Sequence, residues 1–86
     1  MESFKADADL ILKINSMVNQ GHTGPAHVFG KSLGCSKRTM SRHIKCINQL
    51  MQPFQVHLTY IKNLDSYQFN PQGSIIITIS FQHISS

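Results

Sequence analysis

The chain is 86 residues long and 41% hydrophobic, with eight lysines and arginines against four acids and a formal net charge of +4. That length gives one domain with a small core, and no apolar run reaches the ~18 residues that a membrane span requires. The N-terminal stretch carries Glu2 and is interrupted by Lys13 and Asn15, unlike a signal peptide. A cytoplasmic location is therefore the expectation, and the positive surplus points to an anionic partner.

Residues 1–5 are expected to fray. A helix is expected from Asp7 or Asp9, with acids near its positive end. Leu10, Ile11, Ile14, Met17 and Val18 fall within a sector of roughly 100° and form its buried stripe. Gln20-Gly21 ends it. In the connection His22-Thr23-Gly24-Pro25, Thr23 is the expected N-cap of a second helix over about 25–33. Pro25 suits the first turn, where the missing N–H is no loss. That helix buries Ala26, Phe29 and Leu33 and turns His27 and Lys31 outward.

The run FGKSLGCSKRTMSRHIKCINQL, 29–50, reads as two helices joined by a tight turn. Gly34 stands where the shorter helix must stop, because a left-handed C′ residue is inexpensive only for glycine. Ser36 is the natural N-cap of the next helix. Cys35 is a small apolar plug at the elbow, and Gly30 lacks the side chain that would keep the two helices apart. On the second helix Met40, Ile44, Ile47 and Met51 share a sector of roughly 60°, the core face. Arg38, Arg42, Lys45 and Gln49 lie on average about 160° away. Between Leu10 and Leu64 stand seven lysines and arginines and no acid. A merely solvated helix usually mixes charge signs, whereas neutralisation of phosphates explains the asymmetry directly.

Pro53 stops the helical pattern. Phe54, Val56, Leu58 and Tyr60 then alternate with Gln55, His57, Thr59 and Ile61, a half-buried strand by periodicity. Residues 62–66 have turn chemistry, and Tyr67-Gln68-Phe69 returns as the second strand of a hairpin with Lys62 near its tip. After a second turn at 70–73 comes SIIITISFQ, 74–82, strongly β-prone and uncharged. It must be paired, first within the domain and second with another copy of the chain.

Gly30, Gly34, Cys35, Ser36, Thr39 and Arg42 together resemble the helix-turn-helix of bacterial transcription regulators of the catabolite-activator type. With its flanks, the run from Thr23 to Phe69 is similar to the winged helix-turn-helix modules of biotin-operon-repressor-like and DeoR-like regulators. It departs from their pattern at Gly30, Ser41 and Met51. The resemblance implies an α+β fold in a single domain spanning 1–86: three helices, a β-hairpin wing and a further C-terminal strand. The helix-turn-helix would occupy about 25–50, the wing about 54–69 and the last strand about 74–82.

It also implies sequence-specific binding of double-stranded DNA through the major groove, by the helix 36–50, in transcription regulation. Ser36 and Thr39 would then hold phosphate with the backbone N–H groups at the helix start. Lys37, Arg38 and Arg42 would reach base edges, with Ser41 and Lys45 next along the exposed face. Lys31, Lys62, His22 and His27 would make backbone or peripheral contacts. A homodimer through the C-terminal strand or the first helix would give the two half-sites that specific regulation needs.

The rival chemistries are weaker. Cys35, His43 and Cys46 lack the paired short spacings of structural zinc and read as packed residues, the cysteines as free thiols. Asp65 is the one acid after residue 9, and no nucleophile-base arrangement stands near it, so neither an enzyme nor a cofactor is expected. The alternative of a different class is a winged-helix module that binds protein and carries its basic charge incidentally.

Overall fold

Helical periodicity and two stop signals place α1 at Ala8–Gln20, α2 at Ala26–Ser32 and α3 at Lys37–Met51. A single 3-10 turn, Gln52–Phe54, follows, and then β1 (His57–Ile61) and β2 (Ser66–Asn70). The computed structural model describes residues 8–77 and Gln82. The fraying expected at 1–5, a helix start at Asp7 and residues 78–81 of the 74–82 segment lie outside them. Among the described residues the fold is α+β, with three helices followed by one two-stranded antiparallel sheet.

The core forms where the apolar stripes meet. Ile14 and Val18 of α1, Phe29 of α2 and Met40 and Ile47 of α3 are buried with Leu58 of β1 and Phe69 of β2. Burial of a side chain of this size contributes about 1.5–3 kcal/mol. Leu58 and Phe69 are register partners, as are Tyr60 and Tyr67. A row of tilted ring contacts runs from Tyr60 to Tyr67 (centroids 5.4 Å apart) and on to Phe29 (5.8 Å), joining the hairpin to α2.

Four expectations are corrected. Thr23 does not cap α2: Pro25 occupies the N-cap position with no side-chain hydrogen bond. The Thr23 hydroxyl is instead wholly buried, accepting the Tyr67 N–H at 2.7 Å and meeting the Ser66 hydroxyl at 3.3 Å. The Thr23 N–H donates to Ser66 Oγ at 3.2 Å, and Gly24 N–H donates to the Asp65 carbonyl at 3.0 Å. The hairpin is thus tied to the α1–α2 loop. Thr23→Val keeps the shape and orphans the half-buried Tyr67 N–H, a loss of about 2 kcal/mol. Thermal unfolding is expected to show a Tm lower by roughly 8–16 °C.

The hairpin begins at His57, not at Phe54. Gln55 takes a left-handed φ of 59°, its N–H donating to the Gln52 carbonyl at 2.9 Å and the Val56 N–H to the Met51 carbonyl at 3.4 Å. This pair of bonds closes the helical segment as a glycine would and leaves Phe54 70% exposed. Ser66, expected in the turn, is the first residue of β2 and pairs with Ile61.

No strand forms over 74–77, the described part of the expected C-terminal strand. The segment is held by side chains of α1 instead. Asn15 Oδ1 accepts the Ile75 N–H at 2.8 Å, and Asn15 and Asn19 both donate to Ser74 Oγ, at 3.1 and 2.9 Å. Ile75 packs on the core while Ile76 is 83% exposed.

Candidate nucleic-acid interface

The junction of α2 and α3 is built as its residue types predict. Gly34 has φ +76°, its N–H donating to the Lys31 carbonyl at 3.1 Å and the Cys35 N–H to the Gly30 carbonyl at 2.8 Å. Ser36 has extended backbone, and its Oγ accepts the Thr39 N–H at 3.1 Å. The same oxygen lies 3.1 Å from Thr39 Oγ1, so the two hydroxyls form one unit at the helix start. A Cβ on Gly30 would lie 2.9 Å from the Cys35 carbonyl oxygen, 3.0 Å from that of Ser36 and 3.1 Å from Met40 Cβ. Close approach at Gly30 therefore sets how α3 leaves the turn.

On α3, Met40 and Ile47 are buried, and Ile44 and Met51 pack on the core from its edge. Lys37, Arg38, Ser41, Arg42, Lys45 and Gln49 are exposed, Ser36 is exposed just before them, and Thr39 is half-buried. Arg38, Arg42, Lys45 and Gln49 sit at helical spacing on one exposed stripe. Lys31 is exposed in the last turn of α2. Lys62 is not brought onto α3: it rides in the β1–β2 turn, which is bonded to the α1–α2 loop through Gly24 and Asp65. The described acids are Asp9, at the start of α1, and Asp65, in the hairpin turn, so α3 carries none.

Asn48 has a structural role at this surface that periodicity alone does not reveal. Its Oδ1 accepts the Leu58 N–H at 2.6 Å and its Nδ2 donates to the Leu58 carbonyl at 3.2 Å, so one amide clamps β1 to α3. The clamp brings His57 to the flank of the basic helix, where it lines a groove with Ser41, Lys45, Gln49 and Gln52. The only signal for it in the sequence is an amide placed between the apolar and basic sectors of the helix.

Asp65 is engaged within the hairpin. The Tyr60 phenol donates to its carboxylate, and that bond, then burial and the Asp65 charge, raise the Tyr60 pKa above 10.0, the ordinary tyrosine value. Burial raises Tyr67 likewise. The folded chain therefore keeps protons that the unfolded chain releases from about pH 10. Stability present below that pH is lost as pH rises further, through the folded values. Phenolate absorbance should show both tyrosines ionising above their ordinary value. Asp65→Asn, which tolerates the left-handed φ of 50°, should bring the Tyr60 step down.

Cys35 and Cys46 are free and half-buried. Among the described residues no group of three or more His, Cys, Asp or Glu side chains could hold a metal ion, and no helix is long and apolar enough to cross a membrane. Set against known proteins, the chain matches no family model, no curated protein and no solved structure.

Proposed function

We propose that the chain binds double-stranded DNA with α3 in the major groove, as a transcription regulator of the winged helix-turn-helix kind. The observation that carries this reading is the exposed, acid-free stripe Arg38, Arg42, Lys45 on a helix capped by Ser36. Arginines at that place suit the O6 and N7 acceptors of guanine. Ser36, Thr39 and Lys37 suit the phosphates beside the helix start, and Lys31 and Lys62 suit phosphates farther along the duplex. Fluorescence anisotropy of a labelled mixed-sequence duplex across a salt series tests the reading: affinity should fall steeply with salt. A folded protein that binds no duplex at low salt would overturn it.

One observation favours a protein contact as well. Leu50, Met51, Phe54, Val56 and Ile75–Ile77 line an open apolar groove of about 570 Å³. It lies at the C-terminal end of α3, about 18 Å along the helix axis from Arg38. A second copy of the chain seated there would leave the basic stripe free and supply the second half-site that a small reader needs. Sedimentation equilibrium with and without Phe54→Ser distinguishes a dimer through this groove from a monomer.

A further inference from the structure

We propose that the groove on the flank of α3, where the helix meets the start of β1, seats the sugar–phosphate backbone of one DNA strand, with Lys45 and His57 as the phosphate ligands. The inference rests on the reading of α3 as the major-groove helix and adds to it a site on the helix flank that His57 of β1 completes. The groove measures about 430 Å³ and is lined by Ser41, Ile44, Lys45, Gln49, Gln52 and His57, together with Asn48.

Its chemistry is one-sided. Lysine, histidine, two glutamines and a serine present N–H and O–H donors, and no acid lines it. Ile44, half-buried at the edge of the core, contributes an apolar surface of the kind a deoxyribose can lie against. A carboxylate-rich or fully apolar partner would leave one of these two features unused, whereas a sugar–phosphate unit uses both.

The walls are fixed before any ligand arrives. Asn48 spends its amide on the N–H and carbonyl of Leu58, so the residue next to it, His57, cannot drift from α3. Leu58 points into the core, and strand alternation turns His57 out. On β2, Asn70 is its uncharged register partner. Lys45 is three residues after Arg42, so the groove lies one turn along and to one side of the proposed base-reading residues. A helix about 10–12 Å across nearly fills a major groove about 12 Å wide, which brings its flanks to the bordering backbones.

The test is anisotropy of a labelled mixed-sequence duplex over a salt series with wild type, Lys45→Gln, His57→Ala, the Arg38→Ala/Arg42→Ala pair, and Lys13→Gln on the exposed side of α1 as a charge control. Lys45→Gln should reduce the slope of log K against log salt by about 0.9, one phosphate contact. His57→Ala should weaken binding several-fold, with the thermal transition of both variants unchanged because both side chains are exposed. Lys13→Gln should bind like wild type. The proposal is overturned if both groove variants bind like wild type, or if Lys13→Gln lowers the slope as much as Lys45→Gln. Loss of affinity in the arginine pair alone would leave the major-groove reading standing while this site falls. Absence of duplex binding by wild type would remove both.

Discussion

Replacing Arg38 and Arg42 together by alanine is expected to weaken duplex binding by roughly fifty- to a hundredfold at 0.1 M salt, with the fold intact. The magnitude comes from charge. On a mixed-sequence duplex, where no preferred base is read, each arginine counts as one cation beside the phosphates and contributes about 0.9 to the slope of log K against log salt, so two lost cations remove about 1.8 log units between 1 M and 0.1 M. On a duplex containing the preferred site the loss should be larger, since each arginine paired with guanine adds about 1–3 kcal/mol of discrimination. Both side chains are exposed and lie opposite the buried Met40 and Ile47, so the core does not depend on them. Circular dichroism and thermal unfolding of the variant should overlay those of the wild type. A folded variant that binds as tightly as wild type would shift the reading to a module that contacts protein.

Substitution of Gly30 is expected to have the largest effect on stability. Two influences oppose each other in Gly30→Ala. Alanine gains up to about 1 kcal/mol over glycine inside a helix, while overpacking costs about 1–3 kcal/mol. The overpacking should fall at the upper end, because the two nearest atoms, at 2.9 and 3.0 Å, are backbone carbonyl oxygens of Cys35 and Ser36 and not the ends of flexible side chains. Gly30→Ala should therefore destabilise by about 1–2 kcal/mol. Gly30→Val adds bulk and gives back much of the propensity gain, so its loss should reach about 3 kcal/mol and lower Tm by roughly 12–24 °C. What remains folded should also bind duplex less well, since α3 would be pushed off the turn that aims it. An alanine variant that melts higher than wild type would show that α2 and α3 do not meet at this closeness.

Gly30, Gly34 and Ser36 were legible in the sequence because each answers a local requirement: a close approach, a positive φ and a cap. The wheel of α3 was legible for the same kind of reason, since a period of 3.6 separates Met40 and Ile47 from Arg38, Arg42 and Lys45 without reference to the rest of the chain. Thr23 misled because its partners, Ser66 and Tyr67, are 43 and 44 residues away, and a threonine before a helix gives the same local signal whether it caps or is buried. Gln55 misled in the opposite way. With no glycine at the left-handed position, Pro53 was the stop signal read, although it lies inside the 3-10 turn, and the alternation of Phe54 and Val56 extended the strand too far back. Over 74–77, a serine and three consecutive isoleucines fit a sheet strand and a strap held by asparagine side chains equally well; the choice was made by Asn15, 59 residues earlier. His57 enters the candidate site through the Asn48 clamp, a tertiary contact to which no periodicity corresponds.

The bonds from Asn15 to Ser74 and Ile75 also bear on how the domain comes into being during synthesis. A helix of 13 residues is marginal in water by itself, and the groups that complete the surroundings of α1 leave the ribosome only 59 and 60 residues after Asn15. On a growing chain the first helix therefore waits for a late arrival, while the Gly34 turn and the Ser36 cap use neighbours close by in the chain. The part of the molecule that carries the basic stripe is assembled from nearby pieces, and the part that steadies it is finished last.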